Sequence, residues 1–336
     1  MKVYGGLMPD LRAVPESIRR LEDLGYDVVM TTEIAHDPFF PLLLAAEHSQ
    51  RIGLITSVAI AFARNPMTLA GIAHDLNSYS KGRFILGLGS QIKPHITRRM
   101  SMPWSKPAAR MREFILAMRA IWDCWYQGQP LDFRGEFYKH TLMTPMFSPL
   151  DTEYGPPRVM LAGVGPRMTR VAGEVADGFL AHSFTTARYM REVTLPALKR
   201  GLAASGRSRS DYEIVCPVLS VSTAKEPSLG ASRQEVCQRI AFYGSTPAYR
   251  PVLELHGWGD LQSELQALSK QQKWDEMGAL IEDDMLEEFA IVAEPRDIPS
   301  RLKERYGDLI DSWICSIDTG NPEQQRELLR EVKNTD

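Results

Sequence analysis

Glu33 and His36 stand three residues apart in the run Thr31-Thr32-Glu33-Ile34-Ala35-His36-Asp37-Pro38. The run directly follows an apolar segment that reads as a buried strand. A carboxylate and an imidazole at a strand end can donate or accept protons near neutral pH. Equally, His36-Asp37-Pro38 can do no more than start the next short helix.

Two further corners carry glycine. One is Phe84-Ile85-Leu86-Gly87-Leu88-Gly89-Ser90-Gln91 and the other is Val159-Met160-Leu161-Ala162-Gly163-Val164-Gly165-Pro166. Glycine at the end of a buried strand lets a ligand approach the backbone, because no Cβ intervenes. Proline just inside the following helix fixes the turn, and the remaining first-turn amides point outward toward an anion. The second corner runs straight into a helical pattern and is the better phosphate candidate; a plain tight turn is the alternative. The first corner has Ile92 where a third glycine would stand, and no acidic residue ends a strand further on, so the dinucleotide fingerprint fails. Thr56 and Ser57 interrupt an apolar run, where hydroxyls need a partner; backbone groups could supply it. His182 ends another apolar run and reads either as a site residue or as a satisfied core histidine, while His95 reads as a surface loop residue. His48, His74, His140 and His256 have no ligand spacing, so no metal site is expected. No G-x-S-x-G elbow or Walker lysine occurs.

The net charge of −3 over 336 residues, with no strongly basic face, argues against nucleic acid as a partner. Cys124, Cys216, Cys237 and Cys315 lie far apart without C-x-x-C spacing, which suits free thiols in a reducing cytoplasm. There is no signal-peptide pattern and no apolar run long enough to span a membrane.

The elements that must position these groups alternate. Apolar runs at Lys2–Leu7, Val28–Thr32, Ile52–Ala61, Arg83–Leu88, Val159–Ala162, Gly178–His182, Tyr212–Thr223 and Ser312–Ile317 read as strands. They are apolar throughout, as when both faces are covered. Helical spacing falls between them. Val14, Ile18, Leu21 and Leu24 form one stripe, with Pro15 in the first turn and Gly25 as the stop. The clearest helix is Ala108–Trp125, whose Met111, Phe114, Ile115, Met118, Ile121, Trp122 and Trp125 share a face. Others are expected at Phe40–His48, Thr68–Tyr79, Arg167–Asp177, Arg188–Ser205 (kinked at Pro196), Arg233–Tyr243, Asp297–Arg305 and Gln324–Val332. Two excursions, Tyr126–Pro157 and the polar, partly helical Gly244–Glu288, interrupt the pattern. Strict strand–helix alternation predicts a single (β/α)8 barrel with insertions in its later half; an open doubly wound sheet is the alternative. In a barrel, function sits at the carboxyl ends of the strands.

These residues resemble the bacterial luciferase-like monooxygenase superfamily, within it the branch that uses the deazaflavin coenzyme F420. The resemblance spans almost the whole chain. It rests on Thr32–Pro38, on Ile55-Thr56-Ser57-Val58, on Ser80-Lys81-Gly82-Arg83-Phe84-Ile85-Leu86-Gly87-Leu88-Gly89, and on Ala162–Pro166 with Val171-Ala172-Gly173-Glu174-Val175-Ala176-Asp177-Gly178. It implies a barrel and a non-proline cis peptide at Ser57-Val58. It also implies hydride transfer between deazaflavin C5 and a small organic substrate, and a homodimer. On this resemblance His36 is the proton donor or acceptor and Glu33 tunes or orients it. Ser57, Val58 and Gly89 bed the ring, Gly163, Val164 and Gly165 hold the phosphate through backbone amides, and Gln91 and His182 complete the cofactor site. Gln91 stands where relatives that oxidise a sugar phosphate carry an acidic residue, which speaks against such a substrate. An FMN-dependent monooxygenase on the same barrel and a non-catalytic flavin- or deazaflavin-binding protein are the two rival readings.

Overall fold

A computed structural model describes residues 1–222 and 229–334. Among the described residues, eight parallel strands close into a ring. They are β1 (Lys2–Gly6), β2 (Val28–Thr31), β3 (Gly53–Thr56), β4 (Phe84–Gly89), β5 (Arg158–Gly163), β6 (Gly178–Ala181), β7 (Glu213–Cys216) and β8 (Ser312–Ile314). Each pairs with the next, and β8 pairs back onto β1 through Lys2↔Ser312 and Tyr4↔Ile314. The principal helices are α1 (Val14–Leu24), α2 (Phe39–Glu47), α3 (Pro66–Tyr79), α4 (Pro107–Gln127), α5 (Pro166–Val175), α6 (Leu195–Ser205), α7 (Leu229–Gly244), α8 (Ile298–Tyr306) and α9 (Pro322–Asn334). The expected (β/α)8 barrel is therefore the fold, and the doubly wound alternative fails because the sheet has no open edge.

Local chemistry sets the helix ends. Gly25 stops α1 in the left-handed region at φ 94°, where a Cβ would be strained. Asn65 opens α3 by accepting a hydrogen bond from the Thr68 amide at 2.9 Å. The α4 stripe is buried as its spacing requires, with only Trp125 left half-buried. No helix among the described residues is long and apolar enough to cross a membrane. All four cysteines are free; burial pushes the Cys216 and Cys315 thiols up to about 12.

The barrel interior is plugged by one side chain from each strand: Tyr4, Val28, Ile55, Ile85, Met160, Leu180, Val215 and Ile314. Met30, Val58 and Ala162 lie against this plug and are only partly buried. They form the apolar floor of a bowl that opens at the carboxyl ends of the strands. At the other end, beneath Tyr4, the Glu213 carboxylate accepts hydrogen bonds from Tyr4 (2.8 Å) and Ser312 (2.7 Å) and pairs with Arg158 (3.1 Å) and Lys2 (3.4 Å).

Five expected segments differ. The third strand is not continuous from Ile52 to Ala61. It ends at Thr56, passes through a cis Ser57-Val58 peptide, and resumes as Ala59–Ile60 against Leu88 and Gly89 of β4. The seventh strand divides at Pro217, which has no amide to donate. Its second piece, Leu219–Val221, leaves the barrel and pairs in parallel with Ala290–Val292; Thr223, the expected strand end, lies outside the described residues. The helix expected over Arg188–Ser205 contains a π-type turn, Met190–Thr194, just before Pro196. The later excursion is more ordered than its polarity suggests. Arg250–Leu255, Leu261–Lys270, Trp274–Ala279 and Asp283–Phe289 are all helical. With α7 they bury a second core around Val236, Ile240, Leu265, Met277 and Phe289. The earlier excursion holds a short antiparallel hairpin, Phe133–Arg134 with Lys139–His140.

Candidate active site

Because all eight strands run parallel, their carboxyl ends share one mouth, and Glu33, His36, Ser57, Val58, Gly89, Gln91, Gly163, Val164, Gly165 and His182 lie at or just beyond those ends. The structure brings them together in three groups.

The first group is the loop after β2. Glu33 does not bond to His36. Its carboxylate accepts from the Ile60 amide at 2.7 Å and pairs with Arg64 at 2.7 Å. Arg64 also reaches Asp37 at 3.4 Å and lies over the Phe39 ring at 5.3 Å. Asp37 accepts from the Phe39 amide at 2.8 Å, so it does start α2. Glu33 and Arg64 thus tie the loop to the resumed third strand. His36 is exposed on the same loop and makes no hydrogen bond within the described residues, which leaves both ring nitrogens available to a ligand. Arg64 went unnoticed in the sequence, masked by the turn signal Asn65-Pro66. A lone cation closing an apolar run was the available clue.

The second group is the junction of β3 and β4, where the reading of the glycines needs correction. The Thr56 hydroxyl donates to the Gly87 carbonyl (2.7 Å) and accepts from the Gly87 amide (3.0 Å), so backbone satisfies it. A Cβ on Gly87 would lie 1.8 Å from the Thr56 carbonyl oxygen, and one on Gly89 would lie 2.5 Å from Val58 Cγ2. These glycines make room for the neighbouring strand rather than for a ligand. The surface offered to a ligand is the Val58 side chain, which Gly89 allows to lean over the plug. Ser57, half-buried, donates its amide to the Thr31 carbonyl at 2.6 Å. Gln91 has φ 56° and turns its own Oε1 back onto the Ile92 amide at 3.0 Å.

This clearance can be tested by overpacking. Gly89→Ala should cost about 1–3 kcal/mol, and adding Val58→Ala should recover part of the loss. Denaturant midpoints of the four proteins in the cycle report it; strictly additive losses would show that the two side chains do not compete for the space.

The third group is the end of β5 and β6. Gly163 and Val164 lead to Gly165, which precedes α5 with no side chain capping the helix. Pro166 occupies the first turn, the Thr169 amide and hydroxyl both turn to the Gly165 carbonyl, and a Cβ on Gly165 would meet nothing within 4 Å. The next amides, of Arg167 and Met168, are first-turn donors without an intrahelical acceptor. His182 is held differently from His36. Its Nδ1 accepts from the Phe184 amide at 3.0 Å, Nε2 faces the Tyr249 hydroxyl at 3.5 Å, and the ring packs between Tyr243 and Tyr249. Burial pushes its pKa down to about 4, so the imidazole is neutral at physiological pH.

A parallel barrel whose mouth offers an apolar floor, an uncapped helix turn and an unpartnered imidazole has room for an apolar group beside backbone amides and a side chain able to exchange protons. The chain belongs to the luciferase-like monooxygenase family, whose model matches residues 2–312. It is 52% identical over 311 residues to the uncharacterized protein Rv1360 of Mycobacterium tuberculosis, covering 93% of this chain and 92% of the relative. It is 26% identical over 332 residues to the 5,10-methylenetetrahydromethanopterin reductase of Archaeoglobus fulgidus, covering 96% and 94%. The coenzyme F420-dependent tetrahydromethanopterin reductase of Methanopyrus kandleri superposes with a TM-score of 0.78 at 20% identity, covering 99% of this chain and 98% of that one.

Proposed function

We propose that the chain is an F420-dependent oxidoreductase acting on a small organic substrate. The observation that carries the reading is the pairing of the apolar floor, Met30, Val58 and Ala162, with the Gly163-Val164-Gly165 turn, which is open at Gly165, on the same mouth. The floor offers a tricyclic ring apolar contact without a competing polar group. The turn offers backbone amides to a phosphate. A putative coenzyme F420-dependent oxidoreductase and an F420-dependent glucose-6-phosphate dehydrogenase among the relatives support the cofactor.

When bound and reduced, a deazaflavin supplies hydride. The chain's own contribution is placement and proton traffic. Val58 and Ala162 would hold such a ring, with Ser57 and Gln91 as further contacts. His182, neutral and fixed among aromatic rings, walls the side nearest β6. His36 gives or takes the proton that balances the hydride at the substrate heteroatom. Glu33 is a positioning residue: it acts through Ile60 and Arg64 on the loop that carries His36.

Cofactor choice is the decisive test. Purified protein is mixed with F420 and, separately, with FMN, following fluorescence and absorbance, and each reduced complex is then followed for oxygen uptake. F420 is expected to bind, and its reduced complex to consume oxygen no faster than free cofactor. Tight FMN binding with oxygen consumption would establish the monooxygenase reading instead. Binding of F420 without turnover of any carbonyl or imine acceptor would favour a carrier.

A further inference from the structure

Between Asp75 and Glu113 the chain carries no aspartate or glutamate, while lysines and arginines recur throughout. Four of these eight cations are engaged within the chain. Arg83 donates to the carbonyls of Ala46, Ile52 and Ser80, Lys106 pairs with Glu136, and Arg112 pairs with Glu174. Arg110, buried, donates to the Pro103 carbonyl and the Tyr138 hydroxyl. Lys93, Arg98 and Arg99 are different. All three are exposed, and their side chains make no ion pair or hydrogen bond within the described residues.

An exposed cationic run is usually a solvated surface, but two features set this one apart. The segment is anchored. Ile96, in the turn His95–Arg99, is fully buried, Trp104 meets Phe62 edge-on at 5.7 Å, and Arg110 holds the Pro103 carbonyl at 2.6 Å. Left-handed backbone at Gln91, Ser101 and Lys106 fixes its bends. A segment held this way presents its charges without a large ordering cost. Its position matters too. β4 lies beside β5 with Leu88 opposite Leu161, so the segment leaves the ring next to the Gly163-Val164-Gly165 turn. Anion-seeking groups therefore gather on one arc of the mouth, whereas the loops after β1 and β2 expose Met8, Leu11 and Ile34.

We propose that the segment from Gln91 to Lys106 is a second anion subsite, in which Lys93, Arg98 and Arg99 engage a phosphate or polycarboxylate group lying beyond the anion at the Gly163–Gly165 turn. The anion at that turn, and the source of the second one as a cofactor tail or the substrate, rest on the functional reading above.

The test compares the wild type with the triple variant Lys93→Gln/Arg98→Gln/Arg99→Gln. These residues are exposed, so the variant should fold, and circular dichroism checks it. Calorimetric titration with inorganic tripolyphosphate at low salt needs no cofactor. The wild type should bind in a salt-dependent way, and the variant roughly tenfold more weakly. Equal binding overturns the proposal. F420 carrying its glutamyl tail is then compared with a tail-free deazaflavin phosphate. Loss of affinity confined to the tailed compound assigns the subsite to the cofactor. Unchanged affinity for both, with a raised KM for an anionic substrate, assigns it to the substrate. If the wild type binds tripolyphosphate through these residues but no deazaflavin, the subsite stands and the F420 reading fails.

Discussion

His36→Ala is expected to lower turnover by about 10²–10⁴-fold, the size of a general acid or base contribution, while F420 affinity stays close to that of the wild type. The separation follows from geometry. His36 is exposed beside the mouth and hydrogen-bonds to nothing in the described chain, so removing it disturbs no packing. The groups proposed to hold the cofactor, Val58, Ala162 and the Gly163–Gly165 turn, belong to other strands. Glu33→Gln is the useful comparison. It keeps an acceptor for the Ile60 amide but removes the charge facing Arg64. Its effect should be smaller and should include KM, because the loop shifts while the imidazole remains. Stopped-flow reoxidation of reduced F420 by an accepted substrate, beside equilibrium fluorescence titration, measures both quantities. Unchanged turnover in His36→Ala would remove the imidazole from the reaction.

Glu213→Ala is expected to destabilise the protein by roughly 3 kcal/mol, the lower end of the cost of breaking a buried ion pair. Glu213 is 8% exposed at the amino-terminal end of the barrel, while Arg158 and Lys2 are about half exposed, which moderates the penalty. The loss also strands the Tyr4 and Ser312 hydroxyls, which both donate to this carboxylate. Burial pushes the Glu213 carboxyl up. Hydrogen bonds from Ser312 and Tyr4 and the charges of Lys2 and Arg158 outweigh it and hold the group below the usual carboxylate range. Burial and the adjacent carboxylate push the Tyr4 phenol up, so it remains a donor. A depressed folded-state value sets the sign of the pH dependence. Glu213 stabilises fully above the ordinary carboxyl pKa, and that stability is lost as the pH falls through the depressed value. Denaturant midpoints at neutral and strongly acid pH should therefore converge between the wild type and Glu213→Gln. A gap that widens in acid would contradict the assignment.

Much of the barrel was legible because each signal is local. Apolar runs mark strands covered on both faces, Gly25 marks a stop, and the α4 stripe marks a buried face. What escaped depends on contacts between strands. Nothing within Ile52–Ala61 reports that Thr56 will grip Gly87, or that Gly89 will yield to Val58; both facts belong to the β3–β4 pair. The Gly163-Val164-Gly165 turn could be read from sequence because one strand and one helix build it. The partner of Glu33 could not, because Arg64 arrives from beyond the next strand. The helical core around Leu265 and Met277 was missed for another reason. Most of its apolar residues are spread over short helices in a polar stretch, where the one run at helical spacing, Leu261, Leu265 and Leu268, does not by itself reveal a core.

Closure of the ring has a consequence for biosynthesis. β1 pairs with β2 and with β8, and Lys2 faces Ser312. Within the barrel, β1 therefore waits for β8 before its second edge is covered, and the Tyr4 hydroxyl waits with it for Glu213. Throughout translation the nascent sheet carries an unpaired apolar edge, a template for mispairing with other chains. Such a protein should depend on chaperones that shield the growing chain, and its yield should fall when they are depleted, even though the finished cylinder leaves no strand edge to protect.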